Sequence, residues 1–217
     1  MIIGICGFIG SGKDTIADYL ANVRQFRRIS FAGTLKDAVS AVFGWDRELL
    51  EGRTQQSRAW REQRDEWWSQ RLGREITPRQ VLQQWGTEVC RQGYHDEIWV
   101  ASVENRLRNG SDDVVITDCR FPNEIRAIHQ AGGQVIRVCR GSDPVWYDLA
   151  LAANQGDWVA RERLNQLNVH ASETAWVGTD FDAVIDNNST FDATFRQVEQ
   201  VLSDPLLDRQ HARASPA

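Results

Sequence analysis

Lys13 is preceded by glycines at 7, 10 and 12 and followed by Asp14 and Thr15, in the run GFIGSGKDT from Gly7 to Thr15. Glycines at that spacing let the backbone turn sharply and aim successive N–H groups at an anion, and the lysine adds a mobile ammonium. The run follows the phosphate-loop pattern GxxxxGK[ST] up to its last position, where Asp14 replaces the usual hydroxyl residue. A carboxylate there is a hard oxygen ligand suited to magnesium, although it also sets negative charge beside phosphates. Gly10, Ser11, Gly12, Lys13, Asp14 and Thr15 are therefore the expected residues for a nucleoside triphosphate such as ATP. A glycine-rich turn between a core strand and its helix is the plainer reading of the same residues.

A second chemical run is TDCRFPNE, Thr117 to Glu124. It offers Asp118 as a carboxylate on the metal side, Arg120 as a guanidinium fork for phosphate or base, and Asn123 and Glu124 as hydrogen-bonding groups. A turn capped by Asn123, with an Arg120–Glu124 ion pair, would explain the run without chemistry. Two further segments are polar and directional. SFAGTLK ends in Lys36, and PRQVLQQWGTE sets Arg79, Gln83 and Thr87 at i, i+4 and i+8 on one helical face. That arrangement suits a second phosphorylated ligand, with Lys36 and Arg79 on its phosphate and Gln83 and Thr87 nearer its base; a solvated helix side suits it equally.

The elements that must hold these groups alternate between strand and helix. Met1 to Cys6 is apolar and β-branched, and Ile16, Leu20 and Val23 recur at helical spacing, so the glycine run joins a buried strand to a helix whose dipole faces the same anion. A short strand is expected over 28–32 and a helix over 34–43 that Gly44 stops. Residues 45–75 interleave seven arginines with acids and tryptophans and read as an exposed helical insertion on the substrate side. Thr77 and Pro78 open one continuous helix through residue 92, with Gly86 costing about 1 kcal/mol inside it unless something approaches closely. A helix from Asp96 is closed by Asn109 and Gly110. Val114 to Asp118 is an apolar run ending in an acid, as in a central parallel strand. Residues 141–178 read as a polar helical lid, 183–186 as the last strand, 191–202 as the last helix, and 203–217 as a disordered tail. The fold class is α/β: a single domain over residues 1–202, three-layered around a parallel sheet.

Composition narrows the partners. A formal charge of −5, from 25 basic against 30 acidic residues, argues against nucleic acid. No apolar stretch approaches the roughly 20 residues that span a bilayer, and the N-terminus lacks a leader's charged start, so a cytoplasmic protein without a membrane partner is expected. The four cysteines show no metal-site spacing and read as reduced core residues. Five of the nine tryptophans, at 45, 60, 67, 68 and 85, are better read as packing of a mobile subdomain than as base-stacking groups. Exposed tryptophans leave homodimerisation open.

Taken together, GxxxSGKDT, FAGTLK, PRQVLQQWGTE, TDCRFPNE, the HASE run at His170 to Glu173 and the AVIDN strand resemble the deoxynucleoside monophosphate kinases of tailed bacteriophages, P-loop relatives of adenylate kinase. The resemblance covers about residues 2–202, and Asp14 agrees with it. It implies the P-loop kinase fold, and ATP and Mg2+ as cofactors. Gly12, Lys13, Asp14 and Thr15 would hold the donor triphosphate; from the reading of the residues, Asp14 and Asp118 would serve the metal, and Lys13, Asp118 and Arg120 the transfer. Lys36, Arg79, Gly86, Thr87, Trp99, Arg120 and Glu124 would line the monophosphate site, to which the reading of the residues adds Gln83. Arg137, Arg140, Arg161 and Arg163 are lid candidates from position and charge. A kinase of another small phosphorylated molecule, such as dephospho-coenzyme A, and a nucleotide-binding regulatory module are the rival readings.

Overall fold

The computed structural model describes residues 1–108 and 112–204. The chain divides into two compact units, one of Met1–Ile29 with Ser111–Ala217 and the other of Ser30–Gly110.

The first unit carries a sheet of five parallel strands in the order β2-β3-β1-β4-β5: β1 Ile2–Cys6, β2 Arg27–Ile29, β3 Val114–Ile116, β4 Gln134–Cys139 and β5 Ala183–Asp186. β1 is central, pairing Ile3 with Val115 on one side and with Gln134 on the other. Ile3 and Ile5 point to one face. There they join Ile16, Ala17 and Leu20 of α1 (Lys13–Val23) and Val198 of α12 (Phe191–Ser203), each burial contributing about 2 kcal/mol for a large side chain. Gly4 points to the other face, where an added Cβ would sit 2.6 Å from Ile128 Cδ1 of α8 (Pro122–Gln130). Helices thus cover both faces, and the fold is the three-layer α/β arrangement of P-loop kinases.

The placement of α1 and α8 has a consequence for function. The helices that follow adjacent strands β1 and β3 lie on opposite faces, so their connecting loops part and leave a crevice at the carboxyl ends of those strands. In open α/β sheets ligands bind at such a point. Here it receives the glycine loop after β1 and the Asp118–Arg120 turn after β3. β3 ends at Ile116, so Asp118 lies two residues past the strand rather than on its last residue, and β2 is shorter than the expected 28–32 because residues 30–32 already turn toward α2.

The second unit is helical throughout its described residues: α2 Gly33–Phe43, α3 Arg47–Glu51, α4 Gln55–Glu62, α5 Glu66–Leu72, α6 Pro78–Gln84, a π-helical stretch Trp85–Gln92 and α7 Ile98–Leu107. Short helices start here because polar side chains take up their free N–H groups. Asp46 accepts from Glu48 and Leu49, Asp65 from Trp68, and Thr54 and Thr77 form capping boxes with Ser57 and Gln80. Phe43 is the hub of the aromatic packing, with ring centroids at 4.5 Å from Trp45, 4.8 Å from Trp68 and 5.4 Å from Trp85. Trp60 packs on Trp45 at 6.1 Å. The tryptophan-rich insertion is therefore less exposed than its charge suggests, since Trp45 and Leu50 are buried. The expected closure of α7 at Asn109 and Gly110, and the tail beyond residue 204, lie outside the described residues.

Candidate active site

In the sheet-bearing unit the glycine loop is fastened from below. Gly12 has φ +99°, a left-handed conformation that a side chain resists, and a Cβ there would overlap Nδ2 of Asn187. Asn187, just past β5, uses that amide to donate to the Ser11 carbonyl at 2.8 Å and accepts at Oδ1 from Thr194 Oγ1 at 2.9 Å. Ser11 Oγ is buried without a hydrogen-bond partner among the described residues, an arrangement that costs free energy unless a ligand completes it.

Lys13 opens α1. Its ammonium donates to the Gly7 and Phe8 carbonyls, both at 2.7 Å. Burial first and the positive charge of Arg120 second hold its pKa below the ordinary lysine range. Two cations drawn together at a glycine loop form a site that a polyanion relieves. Asp14 stands half-exposed on the first turn and accepts from Arg28 at 2.8 Å, and the same guanidinium also reaches Asp18. Arg28 on β2 was not singled out in the sequence, and only its place beside the strand that flanks Asp14 would have pointed to it.

Across the crevice, Arg120 and Glu124 are used differently from the expected turn. The Glu124 carboxylate accepts the backbone N–H groups of Arg120 at 2.7 Å and Phe121 at 3.1 Å, so Glu124, rather than Asn123, caps α8. The Arg120 guanidinium instead donates to Glu173 at 3.0 Å and to Ser172 Oγ at 3.4 Å. His170 caps the short helix α11 (Ala171–Thr174) that carries both partners, accepting from Ser172 N at 3.2 Å. This gives the HASE run a definite place: it holds Arg120 beside Lys13. Asp118 is half-buried in the same turn. No group of three or more His, Cys, Asp or Glu residues able to hold a metal is found among the described residues.

The helical unit holds Lys36, Arg79, Gln83, Gly86, Thr87 and Trp99. Gly86 joins three of its elements: a Cβ there would lie 2.9 Å from Leu35 Cδ2 of α2, and Trp99 Nε1 of α7 donates to its carbonyl at 2.8 Å. Close approach explains the glycine. The helix expected over 78–92 runs unbroken, but beside Gly86 its backbone widens from α to π geometry at Trp85. Arg79 and Gln83 remain half-exposed on α6, whereas Thr87, in the π-helical stretch, is turned inward and buried. Lys36 donates to Glu51 at 2.7 Å, and Arg47 reaches the other Glu51 oxygen at 2.5 Å. Burial alone would raise the Glu51 carboxyl, but Lys36 and Arg47 outweigh it and hold its pKa at about 2. Arg79 pairs with Glu62 at 3.2 Å.

No protein-family model matches the chain. A protein of Acanthamoeba polyphaga mimivirus, provisionally described as a deoxynucleotide monophosphate kinase, is 32% identical over 154 residues, covering 64% of this chain and 74% of the relative. The deoxynucleoside-5'-monophosphate kinase of Escherichia phage T5 is 30% identical over 174 residues, covering 57% of this chain and 70% of that enzyme. The chain belongs to the deoxynucleoside monophosphate kinases.

Within this kinase, the lid candidates differ from one another. Arg137 is on β4, and its guanidinium is already engaged by Asp143 at 2.6 Å and Tyr147 Oη at 2.9 Å. Arg161 donates to the Ala153 carbonyl at 3.3 Å, while Arg140 and Arg163 are exposed. Asn187 is the kinase's clearest structural residue without an assigned role in the sequence reading; its signal was the final residue of AVIDN. No helix among the described residues is long and apolar enough to cross a membrane.

Proposed function

We propose that this kinase transfers the γ-phosphoryl group of ATP to a deoxynucleoside monophosphate, yielding ADP and a deoxynucleoside diphosphate for DNA synthesis. The observation that carries the reading is the convergence of Lys13 and Arg120 at a glycine loop whose buried Ser11 hydroxyl lacks a hydrogen-bond partner among the described residues. Gly10, Gly12 and Thr15 complete the cradle.

The residues suit a triphosphate with a magnesium ion. Asp14 and Asp118 are the carboxylates that would hold Mg2+, which supplies charge neutralisation on the donor phosphates when bound. Lys13 keeps its two carbonyl acceptors and turns its third N–H donor to the phosphate oxygens. A phosphate oxygen of the acceptor attacks the γ-phosphorus, the bond from that phosphorus to the bridging β-oxygen breaks, and ADP leaves with the electron pair. The attacking phosphate is already largely dianionic near neutral pH and needs no strong base, so positioning and charge do the chemistry. In the helical unit Lys36 and Arg79 orient the acceptor phosphate, with Gln83, Gly86, Thr87 and Trp99 shaping the base side. Arg120 neutralises the group in transfer, Glu124 fixes the turn that carries it, and residues 141–178 form the lid.

The test is product analysis after incubation with γ-labelled ATP, Mg2+ and single acceptors. Label in a deoxynucleoside diphosphate supports the reading. Label only in coenzyme A from dephospho-coenzyme A, or only in free phosphate, contradicts it.

A further inference from the structure

We propose that Phe8, Trp146, Tyr147 and Trp176 form an aromatic clamp that positions the Lys13 ammonium, making Phe8 and Trp146 determinants of ATP affinity. Phe8 occupies a variable position of the glycine loop, and its side chain has no part in the phosphate cradle. Its ring is nevertheless held on three sides: the centroid lies 5.4 Å from Trp146 and 6.1 Å from Tyr147, both edge-on, and 4.6 Å from Trp176. Arg137 closes the back of the cluster, its guanidinium 4.9 Å from the Tyr147 ring and 5.6 Å from that of Trp176. The carbonyl of the same Phe8 accepts from Lys13 Nζ at 2.7 Å.

The two ends of Phe8 are coupled by geometry. Only two torsions separate the ring from the backbone, so a ring gripped on three sides restricts the peptide that carries the Lys13 acceptor. A ring recruited for core packing alone would be sealed from water, as Trp176 is; Phe8 and Trp146 are half-buried, and the adjoining Ile9 is exposed. The cluster therefore lies at the rim of the loop. It ties the loop to α9 (Tyr147–Asn154) and to the turn after α11, both within 141–178. Loosening the clamp lets the loop leave the shape in which Lys13 and the backbone N–H groups meet a triphosphate.

The inference rests on the reading that the loop holds ATP, and the experiment separates the two. ATP and deoxynucleoside monophosphate affinities are measured by equilibrium dialysis for wild type and for Trp146→Ala, Trp146→Phe, Phe8→Leu and Lys13→Ala, with folding checked by thermal melting. Edge-on aromatic pairs of this kind predict an ATP Kd raised about fivefold in Trp146→Ala and Phe8→Leu. The monophosphate Kd stays unchanged, and Trp146→Phe restores ATP affinity. Should Trp146→Ala fail to fold, Phe8→Leu, which keeps the apolar volume, decides. ATP affinity equal to wild type in the folded variants, with Lys13→Ala weakened, overturns the clamp and leaves the triphosphate reading standing. Lys13→Ala without effect overturns both.

Discussion

Asn187 and Ser11 lie 176 residues apart in the chain and 2.8 Å apart in space, the side-chain amide donating to the Ser11 carbonyl. The last strand of the sheet thereby holds the underside of a loop made at the first. Gly12→Ala places a methyl group against that amide and forces a side chain into φ +99°. Its ATP affinity is expected to fall at least about tenfold, because strained backbone of this kind costs more than a kcal/mol. Asn187→Ala removes one buried hydrogen bond and is expected to lose roughly fivefold. Calorimetric titration with ATP checks both.

Lys13→Met is expected to lower turnover by about a thousandfold, the scale of losing one charge aimed at the transferring group. It also has a pH signature in the free protein. Burial, then Arg120, hold the folded-state pKa of Lys13 below 10.5, so the unfolded chain binds that proton more tightly. The charge therefore opposes folding at any pH below the folded value, and the opposition fades as pH rises toward the ordinary lysine range. Urea unfolding is expected to show wild type gaining stability relative to Lys13→Met as pH rises through the lowered folded value toward 10.5.

Glu51 gives the opposite sign. Its folded pKa of about 2 lies below the ordinary 4.5, so its pairing with Lys36 and Arg47 stabilises the protein above that value and is lost as pH falls through the folded one. Glu51→Gln is expected to cost about 1 kcal/mol at neutral pH, allowing for solvent screening, and progressively less as pH falls toward and through about 2. Denaturant midpoints at both ends of that range decide it.

Gly86→Ala is expected to destabilise the protein by about 1 to 3 kcal/mol, the cost of overpacking, since Leu35 must move to admit the methyl group. Trp99→Phe removes the donor to the Gly86 carbonyl and is expected to cost about 1 kcal/mol. Thermal melting measures both. If the acceptor site is built on these residues, the monophosphate KM rises in each while the ATP KM does not.

The sheet was legible because β1 and β3 are compact apolar runs, although β2 is Arg-Arg-Ile, and the glycine loop because its chemistry is local. Lys36, Arg79, Gly86 and Trp99 were singled out by motif order, but the widening to π geometry at Trp85 was not. Gly86 there meets Leu35 and Trp99, tertiary contacts that a helical period across 78–92 does not register. Glu51 was hidden for the same reason: in sequence it is one acid among many charges, and only folding brings Lys36 and Arg47 to its two oxygens. Glu124 read as a ligand group, and the structure spends its carboxylate on the N-terminus of α8. Asn187 stands alone in the sequence because its partner, Ser11, comes from the other end of the chain.

The central claim is a two-nucleotide transfer reaction, and ADP release measured with ATP, Mg2+ and each of dAMP, dCMP, dGMP and dTMP tests it most directly. The account predicts release that depends on at least one deoxynucleoside monophosphate and disappears in Lys13→Ala, with thermal melting showing the variant folded. Release that no monophosphate stimulates, or that survives in Lys13→Ala, would contradict it.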